Sequence, residues 1–196
     1  MPRRNLIVIV CTVLSLALLG AVAWKTGVFK APPTSLVGGP FQLVDQTGKP
    51  VDEKILKGKW SVVFFGYTYC PDVCPTTMVE MAQAQERLGP KARDVQFLFI
   101  SVDPERDTPA QLTTYLSNDA FPKGTIGLTG TPAQVAVAAK AYRTFYRKVG
   151  TGTDYLMDHP TPAYLMDPKG RFNRVIPFGI GPDEVVTQVS AAMRGG

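Results

Sequence analysis

Histidine occurs once in these 196 residues, at His159, and cysteine three times, at Cys11, Cys70 and Cys74. So few cysteines exclude a disulfide framework as the source of the fold. Acidic residues are absent from the first 30 positions, which hold Arg3, Arg4, Lys25 and Lys30. The formal charge of +5 therefore gathers at one end: from residue 31 onward, 17 Lys and Arg face 16 Asp and Glu. That near-balance excludes a basic nucleic-acid face. No internal repeat or low-complexity tract is present. The length suits one core of ordinary size and is too short for two comfortable domains.

What is present first is an apolar run. Leu6 to Trp24 is 19 residues without a charge, long enough to cross a bilayer. Arg3 and Arg4 precede it, which keeps residues 1–5 in the cytoplasm and sends everything after Trp24 to the far side. Residues 6–24 are thus expected to be an uncleaved transmembrane anchor, with Cys11 a lipid-facing or packing residue. A cleaved signal peptide is the rival, kept open by "GAVA". Residues 25–40 include "KAPPTSLVGGP" and read as a tether. Residues 41–196 form the folded domain. In a bacterium this places a single-pass protein in the inner membrane with its domain in the periplasm, where disulfides are allowed to form.

"FQLVDQTGKPV" alternates around a glycine turn and predicts a hairpin or edge strand. "WSVVFFGY" and "DVQFLFISVD" are continuous β-branched and aromatic runs, suited to central strands covered on both faces. Met78, Met81, Ala82 and Leu88 mark a helix between them, stopped by Gly89-Pro90. Thr108-Pro109 and Thr131-Pro132 each pair an N-cap with proline at the first helical position. The second of these helices has the stripe Val135, Ala138, Ala139, Tyr142 and Tyr146. "PAYLMDPKGRFNRVIPFG" predicts a hairpin, and "GPDEVVTQVSAAM" a closing helix. The order predicts an α/β fold with a thioredoxin-like mixed sheet flanked by helices. It puts Cys70 and Cys74 just past the C-terminal end of a central strand, where open α/β sheets place their chemistry.

Cys70 and Cys74 sit in "FGYTYCPDVCPTT". A disulfide across so small a loop removes little unfolded-state entropy, so a purely structural role explains the pair poorly. A helix N-terminus stabilises a thiolate, and residues four apart on a helix share one face. Two such sulfurs can form a disulfide or converge on one metal. A metal needs a further ligand, and His159 precedes the strand expected to run antiparallel to Trp60–Tyr67. Its imidazole is then brought to the same sheet edge. A cis Thr161–Pro162 bond is one option in that loop. Two soft sulfurs and one imidazole suit Cu(I), and also accept Cu(II) with an added oxygen ligand, or Zn(II) with an open position. Asp103 ends the neighbouring strand and reads first as a carboxylate capping its own turn. Behind the ligands, Asp103 and Asp158 are the candidates for a supporting layer, Asp158 by orienting the imidazole. Tyr67 and Tyr69 read as cover.

Three segments, "FGYTYCPDVCPTT", "SVDPERDTP" and "DYLMDHPTPAYLMDPKGRF", closely resemble the signature segments of the Sco/SenC family. These are membrane-anchored copper-binding proteins with a thioredoxin-like fold, and the likeness runs from about Leu36 to the C-terminus. The resemblance implies one copper per domain, Cu(I) or Cu(II), held by Cys70, Cys74 and His159. It also implies work on the binuclear copper centre of cytochrome c oxidase subunit II, by delivering copper, by reducing its cysteines, or both. Other periplasmic copper chaperones are implied as further partners. Pro160, directly after the histidine, departs from the family pattern and stiffens the loop together with Pro162.

Three other functions use the same site. A thiol–disulfide oxidoreductase would attack with Cys70 and resolve with Cys74, forming a redox-active disulfide. A redox or copper sensor would use the same state change without turnover. A peroxidase of peroxiredoxin type fits poorly, because Val63 stands where its motif wants proline and Thr68 is one position out of place.

Overall fold

The structure, a computed structural model, describes residues 36–195. The expected anchor at residues 6–24 and most of the expected tether lie outside them. Among the described residues no helix is long and apolar enough to cross a membrane.

The fold is organised by β3 (Trp60–Gly66), in which every residue is buried. Burial on both faces of a strand requires cover on both sides, and its continuous apolar sequence supplies the surface for it. β4 (Val95–Ser101) pairs with it in parallel over its full length, Trp60 opposite Val95 and Gly66 opposite Ser101. The connection is α1 (Val73–Leu88), so the expected βαβ unit forms. β5 (Ile126–Thr129) lies parallel on the far side of β4. The hairpin of β1 (Gln42–Asp45) and β2 (Pro50–Asp52) extends that side antiparallel. On the other side, β8 (Ala163–Met166) runs antiparallel to β3, followed by β9 (Phe172–Ile176). The seven-stranded order is β2-β1-β5-β4-β3-β8-β9. α2 (Pro109–Leu116) packs on β5, α3 (Pro132–Ala141) on β1, and α4 (Pro182–Gly195) on α1. This is the thioredoxin-like mixed α/β plan that the element order predicts.

Both predicted threonine caps form. Thr108 accepts from the Gln111 N–H, and Thr131 makes a capping box with Gln134. Strand β5 has no counterpart among the strands expected from the sequence, because "IGLT" is four residues with a glycine inside it. The stripe assigned to one long helix through Tyr146 is cut short. α3 ends at Ala141, and Arg143 turns the chain at φ 54, with Thr144 N–H returning to the Ala139 carbonyl. Beyond it lies a second sheet that the sequence reading does not contain. Its strands β6 (Arg147–Val149) and β7 (Leu156–Asp158) pair antiparallel, apart from the seven-stranded sheet. Their residues are largely exposed and carry no alternating apolar pattern. The Thr161–Pro162 bond is trans, since no cis peptide occurs among the described residues.

Strand direction sets the site's position. β3 ends at Gly66, four residues before Cys70, and β8 starts at Ala163, four residues after His159. Antiparallel pairing brings those two ends to one edge of the sheet. Gly38 N–H bonds the carbonyl of Ala141, the last residue of α3.

Candidate metal centre

α1 begins at Val73, so Cys74 lies in its first turn and Cys70 just ahead of it. The first N–H groups of a helix have no partner within it. Here the Cys74 N–H points to Cys70 Sγ at 3.4 Å, and sulfur does what a capping oxygen does elsewhere. Asp72, at the cap position, makes no such bond. Both cysteines are free thiols, Cys70 half-buried and Cys74 buried. Gly66 provides the room for Cys74, since a Cβ there would stand 3.0 Å from its sulfur.

The imidazole is held by its edges and by one carbonyl. Tyr67 and Phe64 pack against it edge-on, with centroids 5.8 and 6.3 Å away. Nδ1 lies 2.9 Å from the Pro160 carbonyl oxygen. A carbonyl only accepts, so this contact fixes the proton on Nδ1. Nε2 then carries the free lone pair, and it faces Cys74 Sγ at 3.7 Å. The donor atoms of Cys70, Cys74 and His159 all lie within 4.8 Å of one another. Three donors in a plane around one ion, with bonds of about 2.3 Å, stand about 4 Å apart. The set therefore fits a soft metal with small inward movement of the side chains.

Electrostatics separate the two sulfurs. The Cys70 thiol is lowered to about 3, chiefly by the hydrogen bond from Cys74, with help from the Asp72 and Cys74 backbone. The Cys74 thiol is pushed up by the same partner and by burial. The reduced pair thus holds one proton at neutral pH, on Cys74, with the thiolate on the more exposed sulfur.

The expected supporting carboxylates go elsewhere. Asp158 was expected as an acceptor for the imidazole, but it pairs with Arg147 at 2.8 Å, and the Pro160 carbonyl takes that place. Asp103 is buried and accepts from Arg106 and from the Tyr155 hydroxyl at 2.7 Å. The N–H groups of its turn, from Arg106 and Asp107, go to its backbone carbonyl and not to the carboxylate expected to cap them. The carboxylate that the sequence reading missed is Asp107. Fully buried, it accepts from Thr68 N–H at 3.1 Å, Thr68 Oγ1 at 2.7 Å and Ser101 Oγ at 2.6 Å. It ties the dithiol loop to the end of β4. Tyr67 is buried against His159 as cover, whereas Tyr69 is half-exposed and stacks with Arg106.

The sequence model of the SCO1/SenC family matches residues 30–194. The chain belongs to the SCO1/SenC family. Protein SenC of Rhodobacter capsulatus is 47% identical over 134 residues, which are 68% of this chain and 60% of SenC. Among solved structures, Bradyrhizobium japonicum ScoI with copper bound is 47% identical with a TM-score of 0.72, covering 79% of this chain and 98% of ScoI. BsSco, described with a disulfide switch and as a member of a family of cytochrome c oxidase assembly proteins, is 27% identical. Its TM-score is 0.65, over 83% of this chain and 96% of BsSco. The chain spans 41% to 60% of the length of the first curated relatives it matches.

Proposed function

We propose that this SCO1/SenC protein is a copper-handling assembly factor for cytochrome c oxidase. Cys70, Cys74 and His159 hold one copper, as Cu(I) or Cu(II), and pass it toward the binuclear centre of subunit II. The observation that carries this is the convergence of two thiols and one correctly protonated imidazole within 4.8 Å. The copper-bound ScoI supports it. Copper binding requires both sulfurs as thiolates, so the Cys74 proton leaves as the metal arrives. A Cys70–Cys74 disulfide removes two of three donors and gates the metal by redox state. Residues 6–24 anchor the protein in the inner membrane, residues 25–40 tether it, and the domain from residue 41 works in the periplasm. Other periplasmic copper chaperones are the upstream source.

The ready ionisation of Cys70 favours a second reading, reduction of the subunit II cysteines. The Cys70 thiolate would attack a target disulfide, and Cys74 would then attack Cys70, releasing a dithiol and leaving the disulfide here. One variant separates the readings. Anaerobic Cu(I) titration is expected to give one tight site, lost in Cys70→Ser, and Cu(II) binding is expected to weaken strongly in His159→Ala. Thiol reduction should survive His159→Ala. A Cys70→Ser chain with parental copper affinity overturns the site. A His159→Ala chain that still supports oxidase assembly leaves only the reductase.

A further inference from the structure

His159 follows directly on the small β6–β7 sheet, which shares no pairing with the seven-stranded one. The imidazole reaches the sulfurs only if that hairpin is pressed against the body of the domain. Its grip is concentrated on the loop after β4. Tyr155, four residues before His159 and buried, lies with its ring 3.6 Å from the Arg106 guanidinium carbon. The same guanidinium stands 4.7 Å from the ring of Tyr69, the residue before Cys70. Asp103 accepts from both Arg106 and the Tyr155 hydroxyl, and Arg106 Nη1 reaches the Thr153 carbonyl at 3.4 Å. Arg106 Nη2 is buried without a hydrogen-bond partner. A guanidinium that leaves a donor unsatisfied is placed by its stacking and its ion pair, since a buried unpaired donor is costly.

We infer that Arg106 is a positioning residue for the third ligand: stacked between Tyr155 and Tyr69, it pins the His159-bearing hairpin to the dithiol loop. The inference rests on the copper reading above and goes beyond it by naming what sets the imidazole's place. The planar cation bridges two aromatic faces, one on each ligand-bearing segment. Lysine is a point charge and does not replace it. Releasing the stack frees His159 and leaves the sulfurs where they are. Two thiolates still satisfy Cu(I), a soft ion, whereas Cu(II) depends on the nitrogen. The oxidised metal therefore loses more than the reduced one.

The test uses the full-length chain and copper ions alone. Arg106→Ala, Arg106→Lys and Tyr155→Leu are expected to lose roughly ten-fold or more in Cu(II) affinity. Their Cu(II) paramagnetic resonance spectra should lose the nitrogen hyperfine lines, as His159→Ala does. Cu(I) affinity should change by less than about three-fold, the remaining sulfur ligands being untouched. Tyr155→Phe keeps the ring face and should keep the parental spectrum. A folded Arg106→Ala protein with parental Cu(II) spectrum and affinity overturns the inference. So does an equal fall for Cu(I) and Cu(II), which marks general damage. If the Arg106 variants do not fold, the Tyr155→Phe and Tyr155→Leu pair decides. In the metal-free state, trypsin should cut after Arg147 or Lys148 faster in Tyr155→Leu than in Tyr155→Phe, and equal rates also overturn it. A parent that takes no copper refutes the copper reading, and the cleavage comparison still decides the stack.

Discussion

Gly66 shows how little space surrounds the buried sulfur. A methyl group there would come within 2.9 Å of Phe64 and 3.0 Å of both Cys74 Sγ and Phe99. Gly66→Ala is therefore expected to cost about 1–3 kcal/mol by overpacking and to weaken copper binding, read by urea unfolding and by metal titration. Cys70 gives a prediction in pH. Its thiol is lowered to about 3, so the thiolate persists as pH falls from 8 toward that value. Alkylation of the reduced, metal-free protein at Cys70 should thus run at a nearly constant rate between pH 8 and 5. An ordinary thiol slows about ten-fold per pH unit there. Mass mapping of the labelled cysteine checks this, and a ten-fold fall per unit at Cys70 would refute it. Cys70, Cys74 and His159 were legible in the sequence because sulfur and imidazole are scarce and the spacing is short. Asp107 was not. "SVDPERDTP" carries three acidic residues before its proline-capped helix, and only the strand order tells which one reaches back to Thr68.

At the scale of elements, local chemistry was readable where a single residue dictates it. Thr108 and Thr131 announced α2 and α3 through their caps, and continuous apolar runs announced β3 and β4. β5 was invisible because it gains its stability from β4 and β1 on either side and not from its own pattern. The end of α3 was misread for a related reason. The helical stripe continued to Tyr146, but the chain turns at Arg143, a non-glycine residue with φ 54. Left-handed geometry costs a residue with a Cβ about 1 kcal/mol. Arg143→Gly is expected to raise stability by about that amount, seen as a higher urea midpoint at unchanged slope. The hairpin β6–β7 had no sequence signal, yet it leads directly into His159, the proposed third ligand. Function here lies on the element with the weakest pattern.

The described residues build one main sheet, and one edge of it holds the sulfurs and the imidazole. The shared edge was deducible from the sequence, because it follows from one antiparallel pairing, whereas the full strand order, which runs through β5, was not. Copper bound only by the folded state should stabilise it, by about 4 kcal/mol at a free concentration a thousand times the dissociation constant. Thermal melting with and without Cu(I) measures this, and Cys70→Ser should show a much smaller rise. The two sheets share no hydrogen-bonded edge. Proteins open in pieces, and a piece with its own ladder opens at its own free energy. Amides of Arg147–Asp158 should therefore exchange with deuterium well ahead of those in β3 and β4. Metal that ties His159 to the sulfurs spans both pieces. Loading should slow exchange in the hairpin most, turning two opening units into one.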